Sequence, residues 1–200
     1  MNETMAKKRK LKIMLMAAGI IIVLLAGGLM AMTFLSDREA SATSNEDALD
    51  VKAMEIETSG DRAEELFSKK VEDTNDTAAV AELLETMGMG EAAGEYTVRI
   101  AAEGEEQVMN LTVAGPVQSA DREVFDANMQ IMAEQLLALT SGVTKVQWSY
   151  PVLTADAREE TVTVSLDQAG AGEELGRKVK NLGESAEKVR TLLRIQAGES

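Results

Sequence analysis

The stretch AGAGEELG at residues 169–176 carries glycines at 170, 172 and 176, between a strand-like run and a helix-like one. That spacing raises dinucleotide chemistry, in which glycines let the backbone approach a pyrophosphate at a helix N-terminus. The chemistry needs a second parallel strand beyond the helix, with an acidic end for the ribose. Only helical pattern follows here before Ser200. Glu173 and Glu174, read into the first helical turn, would complement the helix dipole themselves and repel an anion. The same glycine spacing recurs at Gly88, Gly90 and Gly94, after a helix-like run and before a strand-like one, where no nucleotide loop fits. Both stretches read as turns.

EDTNDTAA sets Asp73, Asn75 and Thr77 at alternate positions, as a calcium loop begins. Its sixth position is Ala78 instead of glycine and its twelfth is Leu84 instead of a bidentate glutamate, so it reads as a capped helix start. The 200 residues contain no cysteine and no histidine, which removes thiolate nucleophiles, disulfides, Cys/His zinc sites and Ser-His or Cys-His catalysis. Acids are plentiful, and a carboxylate pair acting on a glycoside stays open as an alternative. Against it, the aromatics outside residues 13–35 are Phe67, Tyr96, Phe125, Trp148 and Tyr150, mostly at expected core positions. No catalytic, cofactor-binding or metal-binding residue is assigned, and an enzyme is not expected.

The elements that would position any site begin with an apolar run. Ile13 to Leu35 is 23 residues without a charge, about 35 Å as a helix against a hydrocarbon core of ~30 Å. Lys7, Lys8, Arg9, Lys10 and Lys12 precede it, with Glu3 the one acid there, and they place residues 1–12 in the cytoplasm and the remainder outside the cell membrane. The alternative is a cleaved leader at Ala40-Ser41-Ala42, but the run is longer than the ~7–15 apolar residues of a signal peptide. The chain carries a net charge of −14, and the N-terminal +4 leaves −18 on residues 36–200, which argues against nucleic acid as a partner.

Residues 36–60 are polar and acidic and read as a juxtamembrane tether, with a weak strand signal in LDVKAMEI. From there the patterns sharpen. TNDTAAVAELLETMG gives a helix capped by Asp76 or Thr77, with Val80, Leu83, Leu84 and Met87 on one face and Gly88 as its stop. EYTVRIAA and QVMNLTVA alternate around Glu103-Gly104-Glu105 and read as a hairpin. Phe125, Met129, Met132, Leu136 and Leu139 mark the core face of the longest helix, from Ser119 to Gly142. VTKVQWSYPV and ETVTVSL form a second hairpin; Leu175, Val179 and Leu182 mark a further helix, and Ser185 caps the last. This predicts an α+β domain over 61–197, helix-hairpin-helix-hairpin-helix, with a four-stranded antiparallel sheet and helices on one face.

The run AEELFSKKVEDTNDTAAVAELLETMGM, the hairpin after it, FDANMQIMAEQLLALTSGVTKVQWSY and LGRKVKNLGESAEKVRTLL together resemble the uncharacterised DUF4825-type domain of Gram-positive bacterial membrane proteins. The aromatic-Gly-Asp-Asn turn of that family is replaced here by VEDTND. The resemblance implies a single-pass protein with an extracytoplasmic domain and supplies no activity, cofactor or catalytic residue. The expectation is a membrane-anchored, non-catalytic binding or sensory-accessory module of the bacterial envelope, its partner a protein or envelope component. A carboxylate-dependent envelope hydrolase and a purely structural surface protein are the alternatives.

Overall fold

A computed structural model describes residues 48–199 except residue 157, together with the backbone of residues 20–24. Local chemistry sets most helix starts. Ser59 accepts the Arg62 N–H and opens α1 (Gly60–Ser68), Asp76 accepts the Ala79 N–H and opens α2 (Thr77–Met87), and Ser185 caps α7 (Ala186–Gln196). Gly88, at φ 81°, ends α2 and hands over to the short α3 (Met89–Ala93). Between them lie the hairpin β2 (Tyr96–Glu103) and β3 (Glu106–Val113), the two-residue β4 (Val117–Gln118), α4 (Arg122–Leu139), the hairpin β5 (Lys145–Leu153) and β6 (Glu159–Asp167), α5 (Gln168–Glu174) and α6 (Val179–Leu182). The helix-hairpin-helix-hairpin-helix order expected from periodicity is present, with α1 and α3 as additional helices; α3 occupies the Gly88–Gly94 stretch expected as a turn, whose end glycines cap it.

The sheet is mixed and not antiparallel throughout. Within each hairpin the strands are antiparallel, but β3 and β5 pair in parallel, from Val108↔Lys145 to Thr112↔Ser149. The cause is the connection: α4 is an 18-residue crossover that carries the chain back to the end of the sheet where β3 began. The short β4 continues along the same side of β5, with Val117 opposite Val152. At the outer edge Ile20–Leu24, here β1, pairs antiparallel with Tyr96–Ile100 of β2. Of the helix expected over 13–35 only these five residues are described, as an edge strand, and residues 1–12 and 36–47 also lie outside the described set. Among the described residues no helix is long and apolar enough to cross a membrane.

All the helices that build the core lie on one sheet face, where Val98, Met109, Leu111, Val146, Trp148 and Tyr150 meet Phe125, Met129, Met132 and Leu136 of α4. Asp126 clamps this contact: one carboxylate oxygen accepts Trp148 Nε1 at 3.2 Å and the Tyr150 hydroxyl at 2.7 Å. The second half of α4 is enclosed on its other side too. Glu134 and Gln135 are each 4% exposed there, with Glu134 accepting Gln196 Nε2 of α7 at 2.7 Å and Gln135 donating to Gln196 Oε1 at 2.9 Å.

The AGAGEELG stretch corrects its sequence reading. It is not a turn but most of α5, which starts at Gln168 under an Asp167 cap that accepts the Gly170 N–H at 2.8 Å. Glu173 and Glu174 therefore end that helix instead of opening it. Gly176, at φ 63°, breaks the chain before the single turn α6, so Leu175, Val179 and Leu182 are buried from two elements and not from one continuous helix.

Candidate binding site

Residues 49–57, expected as part of the tether, lie along the helical layer as an extended strap. Their apolar side chains are spaced for one-sided contact, and Leu49, Val51, Met54 and Ile56 are half-buried against the core. Two attachments hold the strap. The Leu49 N–H donates to the Pro116 carbonyl at 2.9 Å. Asn128, 5% exposed on α4, accepts the Met54 N–H at 3.0 Å and donates through Nδ2 to the Lys52 carbonyl at 2.7 Å. A side-chain amide thus does for the strap what a neighbouring strand would do, presenting one acceptor and one donor in the plane of the backbone. This site is missing from the sequence reading; the LDVKAMEI signal was its trace.

Between the strap and the helices lies a cavity of about 670 Å³. Leu66 of α1, Met87 of α2, Met132 of α4 and Leu193 of α7 give it an apolar floor, and all four are core residues. The rim is charged. Arg62 is spoken for, with one guanidinium nitrogen donating to the Thr86 carbonyl at 2.6 Å and another pairing with Glu65 at 2.7 Å. Lys52 pairs with Asp50 at 2.5 Å. Glu55, Glu85 and Glu91 also line the cavity and form no ion pair among the described residues, so the rim keeps an excess of negative charge. Burial, and then the field of Glu85, push the Tyr96 phenol up to about 12.

Other groups with chemical potential serve the fold. Lys180 Nζ donates to the Thr140 carbonyl at the C-terminal end of α4; burial, and then Lys70, push its ammonium down to about 8. Burial, and then the field of Glu174, raise the Glu134 carboxyl above its usual range, with Gln196 opposing the shift by hydrogen bonding. Glu134 and Glu174 face one another, yet neither lines the strap cavity. Asp73 accepts both nitrogens of Asn75 and Asp76 caps α2, so EDTNDTAA is a helix start. Among the described residues no group of three or more Asp, Glu, His or Cys is placed to hold a metal ion. No family model, curated protein or solved structure matches the chain.

Proposed function

We propose that the chain is a membrane-anchored, extracytoplasmic, non-catalytic binding or sensory-accessory module of a bacterial envelope, that it is a relative of the DUF4825-type domains, and that it takes its partner in the strap cavity. The cavity itself carries the reading: an apolar floor beneath carboxylates that form no ion pair among the described residues suits a basic amphipathic segment. An apolar side chain would reach the floor formed by Met87, Met132 and Leu193, and a flanking Lys or Arg would meet Glu55, Glu85 or Glu91. The anchor part of the proposal rests on the uncharged run 13–35 and the bases before it, and it requires Ile20–Leu24 to lie in the membrane instead of pairing with β2.

The test uses the full chain in nanodiscs of uncharged lipid, titrated with a short Lys-Leu-Lys peptide against empty nanodiscs. Saturable binding is expected, weakened at least about tenfold by Met132→Trp, which fills the floor, and by Glu85→Gln with Glu91→Gln, which discharges the rim. Binding unchanged by both variants, or no binding to the unmodified chain, overturns the assignment of the cavity.

A further inference from the structure

On the sheet face away from the helices, exposed and half-buried polar side chains near the centre form two rows, while Val108 and Leu153 on the same face are buried. Register places Thr97, Thr112, Ser149 and Thr163 directly side by side across β2, β3, β5 and β6. One step along, Arg99, Asn110, Gln147 and Ser165 form the second row. With strands ~4.8 Å apart and ~6.6 Å between alternate residues, these rows make an array about 14 Å by 7 Å on a rigid support. A shallow cavity of about 360 Å³ is lined by Thr97, Arg99, Asn110, Thr112, Gln147 and Ser149.

Three features separate this face from an ordinary solvated one. None of those six side chains forms a hydrogen bond or ion pair with another described residue, although Asn110, Gln147 and Ser149 are half-buried. Among the described residues Arg99 has no carboxylate partner, whereas eight of the fourteen described Lys and Arg side chains have one. The nearest acid lining the cavity, Glu103, has its Cα four residues along the same strand, ~13 Å from that of Arg99. Neither row carries an aromatic or apolar side chain, and Val108 and Leu153, on the same face beyond the rows, are buried and not presented, which argues against a protein hot spot.

We propose that this face binds a small hydroxyl-rich carboxylate of the sugar-acid class, with the Arg99 guanidinium on the carboxylate and the Asn110 and Gln147 amides and the Thr97, Thr112 and Ser149 hydroxyls on the ligand hydroxyls. The planar guanidinium matches a carboxylate with two parallel N–H donors, and each amide and hydroxyl both donates and accepts, as a ligand hydroxyl requires. Without an aromatic platform, hydrogen bonds alone hold the ring, so the affinity is about millimolar. This site is independent of the strap cavity.

The test is titration of the full chain in uncharged nanodiscs with glucuronate, glucose and inorganic phosphate, followed by the chemical shifts of the Asn110 and Gln147 side-chain amides. Glucuronate should shift them saturably, glucose at least about tenfold more weakly, and phosphate without moving the Gln147 amide. Arg99→Gln should abolish saturation by glucuronate, and Gln147→Leu should weaken it, with melting temperatures unchanged because both side chains lack partners among the described residues. Equal binding of glucose, or binding that survives Arg99→Gln, overturns the carboxylate anchor. Equal binding of phosphate overturns the ligand class, and no saturation by any of the three shows a solvated face only.

Discussion

Asn128→Leu isolates what holds the strap, because the leucine side chain has a similar volume but neither the acceptor for the Met54 N–H nor the donor for the Lys52 carbonyl. Each hydrogen bond contributes ~0.5–1.5 kcal/mol net, so the pair accounts for about 1–3 kcal/mol of strap attachment. At ~1.4 kcal/mol per factor of ten, opening of the strap should become roughly 5- to 150-fold more frequent. Native-state hydrogen exchange reads this directly: the Met54 amide should exchange faster by that factor, while amides inside α4 keep their protection. Asn128→Asp keeps the acceptor for Met54 and loses the donor to Lys52, so it should fall between wild type and Asn128→Leu. Met54 exchange unchanged in Asn128→Leu would show that the half-buried Val51, Met54 and Ile56 hold the strap without the amide. The clasp would then have no energetic role.

Glu134→Gln should alter the pH dependence of stability in a definite direction. Burial raises the Glu134 pKa in the folded state from 4.5, so its stabilising contribution is fully present below the unfolded value and is lost as pH rises through the folded one. Urea midpoints should therefore show Glu134→Gln gaining on wild type as pH rises above 4.5, and a difference that stays constant with pH would refute the assignment. Gly183→Ala should destabilise strongly, because the added Cβ would sit 1.9 Å from the Ala138 carbonyl oxygen of α4, whereas Gly60→Ala, with nothing within 4 Å, should melt with the wild type. If residues 13–35 anchor the chain, protease added to intact protoplasts should remove everything after about Ser36 and leave the basic N-terminal stub protected; a soluble form beginning at Thr43 would favour a cleaved leader instead.

The sequence by itself determined the elements whose burial has a period. The stripe Phe125, Met129, Met132, Leu136 and Leu139 lies on the sheet, the alternation in both hairpins separates core from solvent, and Asp76, Gly88, Gly104 and Ser185 punctuate the chain where their side chains or φ angles permit. These are nearest-neighbour effects, decided within a few residues. Only the tertiary structure decided the direction of β5 against β3, because period-two alternation is the same in parallel and antiparallel pairs. It decided the burial of Glu134 and Gln135 as well, polar residues on the far side of α4 that are satisfied by Gln196, about 60 residues later. AGAGEELG has the glycines of a turn, yet the Asp167 cap and the burial of Ala171 and Leu175 hold most of it as helix. The strap looked like a tether because its sequence is acidic, and it docks because Asn128, more than 70 residues away, offers the two hydrogen bonds its backbone lacks. Composition reports which groups need partners; only the fold brings distant partners to them.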